Sequence, residues 1–122
     1  MKGLGLYELQ CGWRVRFVPR SAASAVKLAT ELISLVGMTP DGEAEIDIRS
    51  YPNEQGNGGQ GFQVYLRRVY QPLVESWIII GTWPEHGFTR INLSSCKPYE
   101  PGQVSSYLSL LGEVVKEYEQ EL

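Results

Sequence analysis

Three side chains that can do chemistry lie close together in the second half of the sequence. Ser76 directly follows Glu75, Glu85 comes nine residues after Ser76, and Cys96 comes eleven residues after Glu85. A serine hydroxyl and a cysteine thiol can act as nucleophiles or carry protons, and a carboxylate can accept hydrogen bonds from a ligand. The spacing predicts a compact hairpin that carries reactive side chains at both of its ends.

Each of these side chains also has a purely structural interpretation. The Ser76 hydroxyl can satisfy a backbone group in a turn. Glu85 can be a turn carboxylate in water, and Cys96 can be a buried cysteine at the end of a strand. The single histidine, His86, is expected to face solvent in the same turn as Glu85. Cys11 lies on an apolar strand face and is expected to be a small core residue.

Alternation of apolar and polar side chains predicts five β-strands. They cover residues 5–17, 43–50, 62–69, 77–82 and 88–94. The first is expected to bend at Gly12, because glycine often marks a bend inside a strand. The second places Ala44, Ile46 and Ile48 on a dry face and its charged residues in water, which is typical of an antiparallel sheet.

Two helices are predicted to cover this sheet. The first follows the N-cap Ser21 and ends at Gly37. The second begins near Glu100-Pro101 and is expected to continue to Leu122 along one apolar side. The order of elements predicts an α/β (α+β) two-layer sandwich, in which a mainly antiparallel β-sheet carries two helices on one face.

Composition limits the class of protein. The 122 residues are enough for one domain, expected to span residues 1–122. The net charge of -3 argues against a nucleic-acid partner, although a local basic face at the strand arginines stays an alternative. Two cysteines cannot form a disulfide framework, which favours a cytoplasmic protein. No signal-peptide core and no run of membrane-spanning length is present, so no membrane partner is expected.

Two segments have competing interpretations. Glu43, Glu45 and Asp47 alternate along a predicted strand, which indicates a solvated face more than a metal site, so no metal is expected. Residues 51–61 are rich in glycine and are expected to form a flexible connection. They lack the lysine and Ser/Thr of a phosphate-binding loop, and no helix signal follows them.

Residues 74–96 resemble the prokaryotic S-adenosylmethionine decarboxylases. The resemblance depends on the pair Glu75-Ser76, the apolar run 78–80, the sequence Thr-Trp-Pro-Glu that ends at Glu85, and Cys96 after an alternating strand. It implies a pyruvoyl-dependent carboxy-lyase of polyamine (spermidine) biosynthesis. It also implies a homodimer that binds an S-adenosylmethionine-like small molecule, with no added cofactor.

The resemblance also implies a role for each matching residue. Ser76 matches the precursor of the pyruvoyl group, which forms when the chain is cut between Glu75 and Ser76. Cys96 matches the proton donor of the decarboxylation, and Glu85 matches the carboxylate that holds the ribose hydroxyls. Trp77 stands where the family has a histidine, and it either fills the substrate pocket or stacks on a flat ligand.

Two further positions depart from the family pattern. Gly81 replaces the histidine that assists processing, and Arg68 stands where the family has a helper serine. Glycine cannot remove the α-proton of Ser76, a step that a positioned base typically accelerates by about 10² to 10⁴. The sequence therefore leaves open a working decarboxylase and a catalytically silent homologue that binds a nucleoside-like molecule or a partner subunit. An accidental resemblance in a generic α/β binding module is the third possibility.

Overall fold

A computed structural model describes residues 8–52 and 62–122, and the side chains of residues 49–52 and 62–67 are not part of this description. The predicted start of the first strand, before residue 8, lies outside the described residues. So does most of the glycine-rich connection predicted over residues 51–61.

The described residues form a six-stranded β-sheet in which every neighbouring pair is antiparallel. In chain order the strands are β1 (Leu9–Val15), β2 (Glu45–Pro52), β3 (Phe62–Pro72), β4 (Ser76–Trp83), β5 (Phe88–Ser95) and β6 (Val114–Glu121). Across the sheet their order is β2-β3-β4-β5-β1-β6. The hairpin β4–β5 therefore lies in the middle of the sheet, where both of its strands have a partner on each side.

Two helices pack on one face of this sheet. Helix α1 (Ala22–Leu35) begins where the Ser21 hydroxyl accepts a hydrogen bond from the Ser24 N–H at 3.1 Å, and it stops before Gly37, whose φ is 73°. Helix α2 spans Pro101–Ser109. Their buried side chains share one hydrophobic core with the strands. The predicted α+β two-layer sandwich with both helices on one face is therefore confirmed.

The core contains residues of β1 from the face that the alternation placed inside. Cys11 and Trp13 are both fully buried. The Trp13 indole N–H donates to the Ser105 hydroxyl of α2 at 2.9 Å, which ties this helix to β1. Burial raises the pKa of the Cys11 thiol, and a hydrogen bond with Tyr99 opposes that shift only in part. Cys11 is thus a core residue, as predicted.

The prediction that the last helix continues to Leu122 is wrong. Helix α2 ends at Ser109, and the chain returns as strand β6 beside β1. Gly112 permits this return, since a Cβ at this position would lie 2.3 Å from the carbonyl oxygen of Arg16. The Arg16 N–H donates to the Glu113 carbonyl at 2.8 Å and starts the new pairing. A bulge near Gly12 and Trp13 then shifts the register between the two strands.

The predicted dry face of β2 is only half correct. Ile46 and Ile48 are 46% and 54% exposed. Ile46 pairs with Val69, which is fully buried, so both residues face the helix side of the sheet. Strand β2 is at the edge, however, and the helices cover the middle of the sheet. The alternation identified the face of Ile46 correctly, but only the tertiary structure shows where the cover ends and that the register shifts after Asp47.

None of the helices in residues 8–52 and 62–122 covers the other sheet face, which is called the open face here. Along β4 the buried residues Ile78, Ile80 and Thr82 alternate with partly exposed ones. The open face is defined by the more exposed residues of β4 and by their partners in β5. The residues of β4 are Trp77, Ile79, Gly81 and Trp83, and their partners in β5 are Ser94, Asn92, Arg90 and Phe88.

Candidate functional site

The Glu75-Ser76 bond lies in the tight turn between β3 and β4. The Leu73 N–H donates to the Ser76 carbonyl at 2.9 Å, so only Val74 and Glu75 form the connection. Sequence analysis predicted that the third strand ends at residue 69. The structure extends β3 through Pro72 and places the bond between the turn and the first residue of β4.

A loop after α1 holds this turn in place. The Thr39 N–H donates to Glu75 Oε1 at 3.0 Å, and the Val74 N–H donates to the Thr39 carbonyl at 2.9 Å. Lys97 joins the same loop, because its Nζ donates to the Gly37 carbonyl at 3.0 Å. The Glu75 side chain therefore has a structural role in addition to its position beside Ser76.

Cys96 lies directly across from this bond. Its N–H donates to the Glu75 carbonyl at 2.9 Å, one step beyond the paired residues Ser76 and Ser95. Because an N–H donor polarises the carbonyl it contacts, this bond makes the Glu75 carbonyl carbon more susceptible to attack. Cys96 is exposed rather than buried, so its thiol is accessible at the same place.

The Ser76 hydroxyl has no activating partner in the described part of the chain. Ser76 is half-buried, and alternation along β4 puts it on the helix side with Ile78. The Ser95 hydroxyl opposite is already committed, since it donates to the Lys97 carbonyl at 2.7 Å and accepts from the Lys97 N–H at 2.9 Å. The arrangement fits the formation of an ester at Ser76, but it provides no hydrogen-bonded base for the elimination that yields a pyruvoyl group.

Trp77 lies on the open face, opposite to the side of Ser76. It pairs with Ser94 of β5 and is half-buried. The Ser94 hydroxyl donates to the carboxylate of Glu8, which precedes β1. Of the two predicted roles for Trp77, stacking on a ligand requires that the ligand bind on the open face.

Glu85 is at the far end of the β4–β5 hairpin. It belongs to the short 3-10 turn Pro84–His86, which Gly87 closes with a φ of 74°. Strand β4 separates it from Ser76 by seven residue steps, roughly 23 Å at about 3.3 Å per residue. One chain therefore brings Glu75, Ser76 and Cys96 together and leaves Glu85 apart from them.

Aromatic rings and arginines lie next to the turn that carries Glu85. Trp83 stacks on Phe88 with ring centroids 5.3 Å apart, and the exposed His86 stacks on the same ring at 6.2 Å. The guanidinium carbon of Arg90 lies 5.5 Å from the centre of Trp83, and that of Arg14 lies 5.6 Å from the centre of Phe88. These contacts are within the range of cation–π attraction.

A groove of about 530 Å³ runs along the open face over Gly81. Ile79, Trp83 and Tyr118 contribute to its lining. The Tyr118 hydroxyl donates to Asn92 Oδ1 at 2.8 Å, and partial burial raises the pKa of this tyrosine. Sequence analysis did not identify this groove. Its only local signal was the glycine in an otherwise bulky apolar run.

Ion pairs border the groove on both sides. Arg90 donates to both carboxylate oxygens of Glu117, at 3.0 and 3.3 Å, and Arg14 lies 3.8 Å from the same carboxylate. Across Gly81, Arg68 lies 3.7 Å from Asp47. These side chains are partly exposed, so water screens the attraction within each pair.

Residues 8–52 and 62–122 contain no candidate metal site and no candidate membrane-spanning helix. No group of three or more His, Cys, Asp or Glu residues in these ranges is placed to hold a metal ion. None of the helices described there is long and apolar enough to cross a membrane.

Comparisons with known proteins support the fold but not a sequence family. No protein-family model matches the chain, and no curated protein matches it at a significant level. Among solved structures, the adenosylmethionine decarboxylase from Aquifex aeolicus VF5 superposes with a TM-score of 0.57 and 16% sequence identity. The match covers 96% of this chain and 88% of that one. The chain therefore has an S-adenosylmethionine decarboxylase-like fold.

Proposed function

We propose that this protein is an S-adenosylmethionine decarboxylase-like protein of polyamine (spermidine) biosynthesis, in which Ser76 is the precursor of a pyruvoyl group. The observation that carries the proposal is the hydrogen bond from the Cys96 N–H to the Glu75 carbonyl. It joins the bond to be cut and the candidate proton donor in one cross-strand pair. The shared fold with an adenosylmethionine decarboxylase supports the assignment.

The residues of the chain account for the first part of the processing chemistry. Attack of the Ser76 hydroxyl oxygen on the Glu75 carbonyl carbon replaces the amide by an ester, and the proton passes to the released amine. A base then removes the Ser76 α-proton, which expels the Glu75 carboxylate and leaves a dehydroalanine. Water converts this residue to the pyruvoyl group and ammonia.

A pyruvoyl group at this position supplies the electron sink for loss of carbon dioxide from an amine-bearing substrate. The exposed Cys96 thiol is placed one step across the ladder, where it can return a proton to the product. Thr39 holds the Glu75 side chain, which keeps the turn in position before cleavage.

Glu85 reaches the same site only if two copies combine. Within one chain it lies roughly 23 Å from Ser76, farther than any side chain can span. In a homodimer, the hairpin of one copy can approach the Ser76 end of the other. The proposal therefore includes a homodimer that binds an S-adenosylmethionine-like ligand, with the Glu85 carboxylate accepting hydrogen bonds from the ribose hydroxyls.

The intact mass of the purified protein tests the proposal. Cleavage converts the 13.7 kDa chain into two fragments, residues 1–75 and 76–122 with a pyruvoyl group at the new N terminus. A Ser76→Ala variant must stay whole, because it cannot form the ester. A Ser106→Ala variant, which alters an exposed serine of α2, must be cut like the natural chain. An uncut natural chain after long incubation excludes self-processing.

A second function is favoured by the absence of a side chain at Gly81. In a silent homologue the fold and the open face bind a nucleoside-like molecule or a partner subunit, and Ser76 remains intact. The helix-side position of Ser76, away from the open-face groove, supports this alternative. An uncut chain whose melting temperature rises with S-adenosylmethionine would establish the ligand-binding form. An uncut chain with no shift would leave the partner-subunit role.

A further inference from the structure

The groove over Gly81 has a cationic wall on each side. Gly81 pairs with Arg68 of β3 and with Arg90 of β5. Side chains of directly paired residues project from the same face of a sheet, so both guanidinium groups flank the space that the glycine leaves open. The arginine side chains are 48% and 43% exposed, which leaves them accessible to a ligand.

The charges around the groove sum to an excess of one positive charge. The charged residues that line it are Arg68, Arg90 and Glu117. A guanidinium has five N–H donors, and Arg90 uses two nitrogens for Glu117. This local excess contrasts with the net charge of -3 for the whole chain.

An aromatic surface lies next to the cationic walls. Trp83 follows Gly81 by two residues on the same strand face, a separation of roughly 6.6 Å. Phe88 supports one side of its ring, and Trp83 is 37% exposed. A planar base can stack on such a ring, and the ribose of a nucleotide can span the distance to a phosphate over Gly81.

We infer that the groove binds a nucleoside monophosphate, with its base on Trp83 and its phosphate between Arg68 and Arg90. The inference rests on the proposed binding of a nucleoside-type ligand to the open face, and it specifies the charge of that ligand. A phosphate gains charge-assisted hydrogen bonds from both guanidinium groups. S-adenosylmethionine offers these guanidinium groups one carboxylate, and they repel its sulfonium and ammonium charges.

Isothermal titration of the whole protein with four probes tests the charge preference. The probes are AMP, adenosine, inorganic phosphate and S-adenosylmethionine. AMP is expected to bind about tenfold to a hundredfold more tightly than adenosine, and more tightly than phosphate alone. Its affinity must also fall as the salt concentration rises. Equal affinities for AMP and adenosine would overturn the inference.

Matched variants locate the phosphate contact. Arg68→Gln and Arg90→Gln are each expected to weaken the binding of AMP about tenfold and to leave the binding of adenosine unchanged. Arg16→Gln removes the same charge beside Glu113, outside the groove, and is expected to leave AMP binding unaltered. The melting temperature of each free variant shows whether it has folded. An equal loss in Arg16→Gln would mean that only net charge matters and would refute the site.

The same titrations separate this inference from the proposed function. Binding of S-adenosylmethionine with no preference for AMP would overturn the nucleotide site and leave the proposed ligand in place. Binding of AMP without measurable binding of S-adenosylmethionine would support the nucleotide site and remove S-adenosylmethionine as the ligand. Cleavage at Ser76 is measured separately by intact mass, so its outcome does not depend on the binding of either probe.

Discussion

Placing a histidine at position 81 tests whether the processing machinery is complete apart from its base. The Gly81→His substitution projects an imidazole into the groove of about 530 Å³, where it has space. A positioned general base typically contributes about 10² to 10⁴ in rate. If Ser76 and Cys96 are otherwise competent, G81H is expected to cut the Glu75-Ser76 bond at least a hundredfold faster than the natural chain.

The distance along β4 determines how this rescue must occur. Five residue steps separate Ser76 from Gly81, roughly 17 Å at about 3.3 Å per residue. An imidazole cannot reach across that distance, so the base must come from a second copy. The rate of cleavage in G81H is therefore expected to rise with protein concentration over the range in which the chain dimerises.

Mixing two variants gives the decisive assay. A doubly substituted chain with Ser76→Ala and Gly81→His cannot be cut itself, but it can supply the base to the natural chain. Intact mass spectrometry of the mixture is expected to show fragments of the natural chain only. A Ser76→Ala chain without the histidine is the control, and it must leave the rate at which the natural chain is cut unchanged. Cleavage of G81H at a rate independent of concentration would refute the composite site, and an uncut G81H dimer would refute the competence of Ser76.

Three further predictions concern the described side chains. Ser105→Ala leaves the buried indole N–H of Trp13 without an acceptor, so chemical denaturation should show that the free energy of unfolding falls by about 1–3 kcal/mol. The double variant Trp13→Phe, Ser105→Ala should lose less than the sum of the two single variants, because both single variants remove the same hydrogen bond. A thiol reagent should modify Cys96 in the native protein and Cys11 only after unfolding, which mass spectrometry of peptides can verify. Burial raises the pKa of Tyr99 in the folded chain above the ordinary value near 10. The neutral phenol therefore contributes fully to stability below pH 10, and this contribution is lost as the pH rises above that value. Unfolding curves from pH 9 to 11 should show this fall, and Tyr99→Phe should reduce it.

The sequence was most informative where local pattern and local structure coincide. The hairpin around Pro84 and Gly87 follows from two alternating runs that flank a turn, and the first helix follows from its cap at Ser21 and its stop at Gly37. These features depend on neighbours in the chain, so their residue types determine them. The covered and open faces of β4 could not be inferred in this way, because its apolar run places Ile78 and Ile80 on one face and Trp77 and Ile79 on the other.

The C-terminal segment shows where such inference failed. Val114, Val115 and Tyr118 fit the apolar stripe of a helix as well as the alternation of a strand. Two features decided in favour of a strand. One edge of β1 is available to pair with β6, and Gly112 passes close to the backbone of Arg16. Both are long-range effects, which periodicity in a single segment cannot report.

The candidate site divides in the same manner. The residue types and spacing of Ser76, Glu85 and Cys96 were sufficient to suggest their chemistry. Only pairing between β4 and β5 placed Cys96 beside the Glu75 carbonyl, and only the length of β4 separated Glu85 from both. The sequence by itself therefore determined which groups are present and the hairpin that carries them. The tertiary structure decided which of them meet, because antiparallel register fixes neighbours across strands that spacing along the chain leaves undefined.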